Sequence, residues 1–519
     1  MTHFHSAANA SPVTPAVGVV RRRRRWPIIA LLLLIATPRA NAQDDGVRDN
    51  RYYPGDWSAL TSLRYVSSAA MTDNILYLGT RGGIARYDRY DNRWLTPLTT
   101  SNGLLSNEIL ALAYDRVRDE LFAEMPGGTM SYQRLSREWR IASVFPSELV
   151  QPFEPIDLTQ YYLPFGYNVL DPRYIETPNH QMYRIVGAIE DDLGRTWVAT
   201  WGNFMWTIEA GSFNAVPARY GLYQSSVNAM LIDSVGMVFG GPVSLYGETG
   251  LTVNNRREND WQYYQSRFIP TFESDIVFDI VARPDGDSVY LATDHGVVLF
   301  ERKARRFTSY GKHNGMIDDL VLSLCLDGDI LWIGTASGID GLYIPNDSLF
   351  HATTSDIQDA RIYDIEVSDG IVWIGTDFGL YRLAKPTPVW RRYAADTGPL
   401  AGYVQAITPY GDQLYVGSDR GLAVIDVLGV KPIRSYESPS TLPYGDIYDI
   451  AVTDSIVWLA TQSGLVRFVP GTLERRVIDE SDGLLDQIVE QIVVDGSYLW
   501  LATYRGVNRF RWNNPFRID

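Results

Sequence analysis

The chain has 519 residues, with 46 basic and 61 acidic side chains and a formal net charge of −15 at pH 7. Residues 1–42 hold six arginines and no acid, so the chain that follows them carries 40 basic against 61 acidic side chains, a net charge of −21. This balance disfavours a nucleic acid or an anionic membrane surface as a partner, because both would be repelled. The single cysteine, Cys325, excludes an intrachain disulfide and lies in an apolar run typical of a buried residue.

The N-terminal segment has the pattern of a secretory signal peptide. Arginines at residues 21–25 precede a short apolar run at residues 26–36, and Ala40-Asn41-Ala42 has the small-x-small form of a cleavage site. The apolar run is shorter than the roughly 20 residues of a transmembrane helix. We therefore expect cleavage after Ala42, and a mature chain of residues 43–519, without a membrane span, in the periplasm or outside the cell.

A phrase of about a dozen residues recurs along the chain. LWIGTASGIDGLY, which begins at Leu331, returns as VWIGTDFGLYRL, LYVGSDRGLAVI, VWLATQSGLVRF and LWLATYRGVNRF. A sixth regular copy surrounds Thr293, and four less regular copies lie in residues 74–88, 121–132, 195–208 and 237–253, which brings the total to ten. A period near 42 residues indicates a repeat architecture. The regular copies can be anchored on Thr293, Thr335, Thr376, Ser418, Thr461 and Thr503, which are spaced 41 to 43 residues apart.

Each copy predicts four short antiparallel strands. An alternating run comes first, the LWIGT-like strand second, a third strand follows the T-x-x-G turn, and a fourth carries an aromatic residue. Four strands in about 42 residues are typical of a propeller blade. Residues 49–53 resemble residues 91–94, the start of a fourth strand, so we expect the N-terminus to complete the last blade. The prediction is an all-β β-propeller of about ten repeats; one closed ring is favoured, and two smaller rings are the alternative.

The repeat resembles that of the two-component regulator propeller family, whose pattern is l-W-i-G-T-x-x-G-l-x-r-y followed by g-L-x-s-n-x-V. The first copy, LYLGTRGGIARYD, is followed by Trp94 and by SNGLLSNEI at residues 101–109, and SDGLL recurs at residues 481–485. This resemblance implies an exported module. In that family the propeller usually forms the glycan-binding sensor half of a membrane histidine kinase, and similar propellers occur in assembly factors of type IX secretion. We recognise no kinase or transmembrane segment within residues 43–519, and we expect a binding module whose ligand the resemblance does not name.

The sequence offers little catalytic chemistry. It contains no nucleophile elbow, zinc-protease motif or phosphate loop, and its histidines are isolated, so we predict no catalytic residue, cofactor or metal. Residues 192–197 (DLGRTW) match the core of an Asp-box, but they precede the second strand of their repeat, and we interpret them as an ordinary turn. Asp364 and Asp449 occupy the same position on two innermost strands. An acid–base pair acting on a sugar is one interpretation, and structural hydrogen bonds are the favoured one.

Two insertions interrupt the repeat, at residues 145–180 and 241–248. One lies between blades and the other between second and third strands, and both connections open on the same end of a blade, here called the loop-bearing face. The first insertion is rich in aromatic residues, as is a smaller excess at residues 262–273, and aromatic loops on a rigid face suit ligand recognition. The long loop packing as a lid over the channel is an equal alternative. The predicted ligand-binding residues are Tyr161, Tyr162, Phe165, Tyr167, Trp201, Tyr263, Tyr264, His295, Phe378, Arg420, Tyr504 and Arg505.

These observations predict an exported, non-catalytic binding module that recognises a glycan fragment or a protein partner through the loop-bearing face. The alternative is a scaffold or assembly subunit of the cell envelope. A carbohydrate-active enzyme is a third interpretation, which would require acidic residues that converge at the channel mouth.

Overall fold

The structure is a computed structural model that describes residues 52–53, 55–242, 249–255, 260–352, 357–384, 389–393, 398–427, 432–443 and 445–515. The predicted signal peptide and residues 243–248 of the second insertion lie outside the described residues. No helix in the described part of the chain has the length and hydrophobicity of a membrane span. The described residues form ten antiparallel sheets, numbered here in chain order. Each sheet contains the four strands that the repeat predicts, and sheet 3 has two more.

The first three sheets precede the most regular repeats. Sheet 1 consists of β2 (Val66–Met71), β3 (Ile75–Thr80), β4 (Gly83–Asp88) and β5 (Arg93–Leu98). Sheet 2 consists of β6 (Ala111–Asp115), β7 (Glu120–Met125), β8 (Gly128–Gln133) and β9 (Glu138–Ala142). Sheet 3 consists of β10 (Asn168–Asp171), β11 (Tyr174–Glu176), β12 (Met182–Glu190), β13 (Thr196–Trp201), β14 (Met205–Ile208) and β15 (Ala215–Ala218).

Sheets 4 to 7 follow the repeat in order. Sheet 4 consists of β16 (Ala229–Ile232), β17 (Gly236–Gly240), β18 (Leu251–Asn255) and β19 (Asp260–Tyr264). Sheet 5 consists of β20 (Val277–Ala282), β21 (Ser288–Thr293), β22 (Gly296–Glu301) and β23 (Arg306–Tyr310). Sheet 6 consists of β24 (Val321–Asp327), β25 (Ile330–Thr335), β26 (Gly338–Tyr343) and β27 (Ser348–His351). Sheet 7 consists of β28 (Ile362–Ser368), β29 (Ile371–Thr376), β30 (Gly379–Ala384) and β31 (Val389–Tyr393).

The last three sheets contain the C-terminal repeats. Sheet 8 consists of β32 (Val404–Tyr410), β33 (Gln413–Ser418), β34 (Gly421–Asp426) and β35 (Pro432–Glu437). Sheet 9 consists of β36 (Ile447–Thr453), β37 (Ile456–Thr461), β38 (Gly464–Val469) and β39 (Glu474–Ile478). Sheet 10 consists of β40 (Val489–Asp495), β41 (Tyr498–Thr503), β42 (Gly506–Arg511) and β1 (Trp57–Leu60). Short 3-10 helices in the described connections are Thr100–Asn102, Ser147–Leu149, Leu158–Gln160, Ser266–Phe268, Lys312–Asn314, Ile344–Asn346 and Pro399–Ala401.

The N-terminus completes the last sheet, as predicted, although the strand lies further along the chain than residues 49–53. β1 pairs with β42 in a register that opposes Trp57 to Phe510, and their rings stack with centroids 4.3 Å apart. Tyr52 packs edge-on against both rings. The paired strand begins at Trp57, whose side chain is buried in the apolar cluster between sheets 9 and 10.

The T-x-x-G turns explain the recurrence of the phrase. The hydroxyl of Thr335 donates to the carbonyl of Gly338 at 2.8 Å and accepts from the Ser337 amide at 3.1 Å. Gly296, at the equivalent place in sheet 5, has φ +101°, and a Cβ there would lie 2.0 Å from the Tyr310 carbonyl oxygen. Threonine and glycine therefore recur because they close this hairpin, which only glycine accommodates.

A second device recurs on the innermost strands, where buried polar side chains tie one sheet to the next. The Asp364 carboxylate accepts from the Ile407 amide at 2.7 Å, and Asp449 accepts from the Ile492 amide at 2.8 Å. Gln491 accepts in the same way from the Met230 amide at 2.7 Å. These contacts support the favoured structural interpretation of Asp364 and Asp449, with a neighbouring strand as the hydrogen-bond donor.

The apolar core divides the sheets into two groups. Each sheet from 4 to 9 packs on the sheet that follows it, and Val493 and Trp500 of sheet 10 pack on Met230 and Phe239 of sheet 4. Sheet 1 packs between sheets 2 and 3. We call these the seven-sheet group (sheets 4–10) and the three-sheet group (sheets 1–3). This division agrees with the alternative of two smaller units rather than with one ring of ten sheets, and closure into rings stays a prediction.

The insertion at residues 145–180 belongs to the three-sheet group. Gln151 bridges to Ala69 of β2, and Glu154 bridges to Ala188 of β12, so this stretch lies between two innermost strands. Leu158 is then fully buried against sheet 3. The hairpin of β10 and β11 finally extends the innermost edge of that sheet. The insertion thus covers the face of sheet 3 that a neighbouring sheet would otherwise cover. A lid over a channel stays a prediction.

Cys325 is partly buried, rather than fully buried as its sequence context indicates, and it packs beside the apolar cluster of sheets 6 and 7.

Candidate functional site

Three connections meet beside sheet 3 on the loop-bearing face. They are residues 61–65 before β2, the turn between β13 and β14, and residues 219–223 before β16. The amides of Gly202 and Phe204 donate to the Arg64 carbonyl at 3.0 and 3.2 Å, and the Leu222 amide donates to the Thr61 carbonyl at 3.0 Å. Because backbone hydrogen bonds join all three, the side chains that they carry are held in fixed relative positions.

Arg64 lies at the centre of this junction with only 3% of its surface exposed. Its guanidinium donates to the carbonyls of Gly202 at 2.8 Å and Tyr223 at 3.4 Å, and to the Tyr183 hydroxyl at 3.2 Å. It also stacks over the Tyr223 ring, 3.7 Å from the ring centroid. Dipoles and an aromatic face therefore satisfy this buried cation in place of a carboxylate.

Two further arginines, Arg81 and Arg184, lie beside the partly buried rings of Tyr65 and Trp201. The Arg81 guanidinium is 5.5 Å from the Tyr65 centroid and 5.9 Å from that of Trp201, and Arg184 is also 5.9 Å from Trp201. Tyr65 and Trp201 pack edge to face at 5.4 Å. Their positions follow from the strands, since Arg184 pairs directly with Trp201 between β12 and β13. The set that we call the arginine–aromatic cluster consists of Arg64, Tyr65, Arg81, Tyr183, Arg184 and Trp201.

The cluster is positively charged on a strongly acidic chain. Among the described residues, no carboxylate lies within ion-pair distance of Arg64 or Arg184. Arg81 and Glu108 are 3.9 Å apart with 43% and 47% of their side chains exposed, and such exposed pairs bind weakly. Burial, followed by the neighbouring Tyr223, raises the pKa of Tyr183 above the usual range of a tyrosine, so its hydroxyl stays neutral. Guanidinium groups in this setting suit a carboxylate or phosphate oxygen.

Six of the predicted ligand-binding residues are exposed, and they are spread over the molecule. His295 pairs with its neighbour Asp294 at 3.1 Å, and Arg505 pairs with Asp486 at 3.3 Å. His295 belongs to sheet 5 and Arg505 to sheet 10. Within the described residues, no hydrogen bond, ion pair or ring contact connects the predicted residues of one of the sheets 5–10 with those of another. The exposed residues are Tyr162, Phe165, His295, Phe378, Arg420 and Arg505.

The other predicted residues are partly buried, and most of them pack within the fold. Tyr167 packs edge-on against Trp206 at 5.0 Å, and Tyr161 lies beside the same apolar cluster. Tyr263 stacks on Phe204 at 4.9 Å and donates to the Gly221 carbonyl at 3.0 Å. Tyr264 packs against Phe300 and Phe307. Trp201 alone among the twelve lies in the arginine–aromatic cluster.

On sheet 10, a buried acid lies beside a phenol. Glu490 on β40 is nearly fully buried and is hydrogen-bonded to Tyr504. Burial, and then the charge and hydrogen bond of Glu490, raise the pKa of Tyr504 above the tyrosine range. A search of the described residues finds no set of three or more histidine, cysteine or acidic side chains that could hold a metal.

The stretch at residues 192–197 is a turn between β12 and β13, as we interpret it from sequence. Asp191 organises it, because its carboxylate accepts from the amides of Leu193 and Arg195 at 3.0 Å and from the Trp197 indole at 2.9 Å. Gly194 has φ +75°. The acidic residue in the near-match itself, Asp192, pairs with Arg89.

Sequence reasoning missed most of the cluster. Arg81 could have been found from the sequence. It follows the threonine of its turn, and Trp201, which was predicted, occupies the same position of another turn. No sequence pattern indicates a role for Arg64 or Tyr183. Arg64 contacts Tyr183 and Tyr223, which lie 119 and 159 positions away along the chain.

Comparisons with known proteins identify the fold. No family model matches the chain, and no curated protein sequence matches it. Among solved structures, it is similar to PorZ, described as an essential surface component of the type IX secretion system of Porphyromonas gingivalis, with 15% identity over 86% of this chain and 74% of that chain and a TM-score of 0.50. The extracellular domain of the putative hybrid two-component system BT4673 of Bacteroides thetaiotaomicron shares 15% identity over 86% of this chain and 70% of that one, with a TM-score of 0.48. At this identity, the likeness to PorZ shows a propeller-like fold alone.

Proposed function

We propose that this chain is an exported, non-catalytic binding module that recognises its ligand through the arginine–aromatic cluster. The observation that carries the proposal is the set of Arg64, Arg81 and Arg184 around Tyr65 and Trp201. Arg184 and Trp201 lie on paired strands, and the other three lie in the connections beside them. Within the described residues, Arg64 and Arg184 have no carboxylate at ion-pair distance, so an external anion would be a favourable partner for these two guanidinium groups.

The absence of a catalytic role is part of the same proposal. Asp364 and Asp449, the carboxylates with the clearest acid–base pattern, are buried and accept hydrogen bonds from neighbouring strands. A group that acts on substrate must reach it within hydrogen-bond distance, and these two carboxylates face the core.

The test uses matched charge reversals at the two ends of the sheets. Residues 43–519 would be presented to a glycan array and to native envelope extract, beside the variants Arg184→Glu and Arg118→Glu. Both arginines are exposed, but Arg118 lies in the turn between β6 and β7, on the opposite face. We expect Arg184→Glu to abolish the binding that Arg118→Glu retains. Equal binding by both variants would refute recognition through this cluster.

An envelope scaffold is the second candidate function, favoured by a separate observation. Tyr162 and Phe213 are exposed and adjacent, because the Tyr162 amide donates to the Phe213 carbonyl at 2.7 Å, and Phe165 is fully exposed nearby in sequence. Exposed aromatic side chains of this kind are typical of protein contacts. A stoichiometric envelope protein that is captured by the wild type and by Arg184→Glu, but lost with Phe165→Ser, would support the scaffold instead.

A further inference from the structure

We propose that sheet 7 carries a second binding site, which takes a small oxyanion of the carboxylate or phosphate type. The site is built on Trp373, Arg382 and Arg391, which we call the sheet 7 row. These residues are directly paired across β29, β30 and β31, so their side chains lie on one face of the sheet. The row is separate from the arginine–aromatic cluster, and the inference does not depend on the proposed function.

The sheet 7 row extends from the surface into the core on the face that packs against sheet 8. Trp373 is fully buried in the apolar cluster of these two sheets, Arg382 is partly buried, and Arg391 is exposed. Tyr393, two residues after Arg391, lies on the same face. Its ring centroid is 5.6 Å from the guanidinium carbon of Arg382 and 5.7 Å from the Trp373 ring centroid. Two guanidinium groups, an indole N–H and a phenol hydroxyl are therefore close together.

The charges of the sheet 7 row are not neutralised by ion pairs within the described residues. In this part of the chain, no carboxylate lies within ion-pair distance of Arg382 or Arg391. Glu366 belongs to the same row, but Trp373 separates it from Arg382. Like charges that are directly opposite on two strands destabilise a sheet. An oxyanion bound between the two arginines would relieve this repulsion and accept hydrogen bonds from both.

The same face carries buried donors without acceptors. In three other repeats, the residue five positions before the equivalent tryptophan accepts its indole N–H at 2.8 to 3.4 Å; the pairs are Trp332 with Asp327, Trp458 with Thr453 and Trp500 with Asp495. In sheet 7 this residue is Ser368, and neither its hydroxyl nor the Trp373 indole has a hydrogen-bond partner among the described residues. The same holds for the Tyr393 hydroxyl. Burial raises the pKa of Tyr393, so this hydroxyl keeps its proton and can donate to an anion.

Sheet 9 shows which groups such a row binds. It contains the same three residue types in the same register, Trp458, Arg467 and Arg476. Its arginines have carboxylate partners, because Arg467 is 3.7 Å from Glu474 and Arg476 is 2.7 Å from Asp482. The anions of the sheet 9 row therefore come from its own repeat.

Sheet 7 has neutral residues at the positions of both carboxylates. Val389 begins β31 as Glu474 begins β39, in each case two residues before the outer arginine. Thr397, which lies outside the described residues, aligns in sequence with Asp482, and a glycine follows each. We therefore assign an external oxyanion to the place that carboxylates occupy in sheet 9. Its donors extend inward between two packed sheets, which favours a small anion over a macromolecule.

The first experiment compares two adjacent arginines of β31. Titration calorimetry would measure binding of inorganic phosphate and of succinate to residues 43–519, to Arg391→Gln and to Arg392→Gln. Arg392 is the matched control, because it is also exposed but lies on the opposite face of the sheet. We expect at least one anion to bind the wild type and Arg392→Gln equally, and Arg391→Gln at least about tenfold more weakly, since hydrogen bonds between charged groups are the strong ones. An equal loss in both variants would overturn the inference, because net charge alone would then explain binding.

A second variant places a carboxylate in the site. Val389→Glu should abolish binding of both anions, because its side chain would take the position that Glu474 has beside Arg467 in sheet 9. In NMR spectra of the perdeuterated wild type, the indole N–H resonance of Trp373 should shift when the anion is added. Unchanged binding by Val389→Glu, or binding that leaves this resonance in place, would overturn the assignment to the sheet 7 row.

The remaining outcomes concern the size of the ligand. If neither phosphate nor succinate binds the wild type, the inference is wrong. Binding of a poly-glutamate peptide but of neither small anion would also overturn it, in favour of an acidic protein segment. Both results would leave the proposed function untouched, because that is tested by Arg184→Glu at a different site.

Discussion

Two buried arginines of this fold are stabilised in opposite ways. Arg302 in sheet 5 is paired with the Asp233 carboxylate in sheet 4 by two hydrogen bonds of 3.0 and 2.9 Å, and both side chains are largely buried. Arg64 relies on carbonyls and rings instead. The charge of Arg302 is therefore neutralised within the fold, whereas that of Arg64 contributes an electrostatic field at the surface above it.

The Asp233–Arg302 pair yields a prediction about stability and pH. Asp233→Asn should destabilise the protein by about 3 kcal/mol at pH 7, because it leaves Arg302 buried without its anion. Burial opposes ionisation of Asp233, but the hydrogen bonds and charge of Arg302, with the amides of Gly236 and Val235, outweigh it and lower the pKa of the carboxyl. Its stabilising contribution is therefore present above the unfolded pKa and is lost as pH falls through the lower folded value.

Guanidinium chloride unfolding at pH 7 and near pH 3 measures this effect. The midpoint of Asp233→Asn should lie well below that of the wild type at pH 7, and the gap should narrow at the lower pH. Asp171→Asn is the control, because its pair with Arg173 is solvent-exposed and should hardly move the midpoint at pH 7. Midpoints that coincide at pH 7 would show that the buried pair contributes nothing.

The role of a residue could be predicted where the residue recurs at the same position of each repeat, and not elsewhere. The T-x-x-G phrase recurs in sequence, so the structural role of its glycine could be derived before the fold was known. Tyr263 and Tyr264 were predicted as ligand contacts because they are aromatic and lie near an insertion, yet Phe204, Phe300 and Phe307 pack against them. Aromatic composition alone does not distinguish an exposed ring from one that fills a core.

At the scale of elements, the insertion at residues 145–180 depends on one close approach. Gly187 of β12 has φ +149°, and a Cβ there would lie 2.7 Å from the Phe153 Cβ and 2.9 Å from the Glu154 carbonyl oxygen. Glu154 and Ala188 exchange backbone hydrogen bonds of 2.8 Å immediately beside it. A glycine at this position therefore permits the insertion to lie against the innermost strand of sheet 3.

We expect Gly187→Ala to displace residues 151–154 from β12 and to expose the insertion to proteases. Limited digestion with chymotrypsin, followed by mass spectrometry, should show faster cleavage within residues 145–180. Gly211→Ala is a matched control, since Gly211 also has a positive φ, +70°, but no atom lies within 4 Å of its added Cβ. Equal cleavage rates in the two variants would mean that backbone strain, rather than the contact with Phe153, determines the effect.

The strands and the insertion differ in how far sequence predicts them. Four strands per repeat followed from alternation and glycine turns, and the ten sheets confirm that number, with the β10–β11 hairpin as an addition. The path of the insertion could not be predicted from sequence. Its contacts join Gln151 to Ala69 and Glu154 to Ala188, and the residues of each pair are more than 30 positions apart. Contacts between segments without a shared period leave no local pattern.

For the whole molecule, the repeat specifies each sheet but does not specify how many sheets belong together. The seven-sheet and three-sheet groups meet at an aromatic seam, where Tyr220 stacks on Trp94 of sheet 1 at 5.1 Å and packs edge-on against Trp261 of sheet 4 at 5.6 Å. Burial raises the pKa of Tyr220 to about 12, so the side chain stays neutral. Asn508 of sheet 10 donates to the Ser101 hydroxyl at 2.9 Å across the same seam.

This seam leads to the prediction that the two groups unfold together in the wild type and separately in Tyr220→Ala. An apolar interface couples two units only while it stabilises their association. Removal of the Tyr220 ring, which packs on Trp94 and Trp261, costs about 2–4 kcal/mol of that stabilisation. Calorimetry should show one transition for the wild type and two for the variant, and hydrogen exchange should assign the earlier one to sheets 1–3, which have fewer neighbouring sheets.

Phe378→Ala, which removes an exposed ring of sheet 7, should retain one transition. A single transition in Tyr220→Ala would mean that the backbone junction at residues 61–65, with Arg64 at its centre, is enough to couple the two groups.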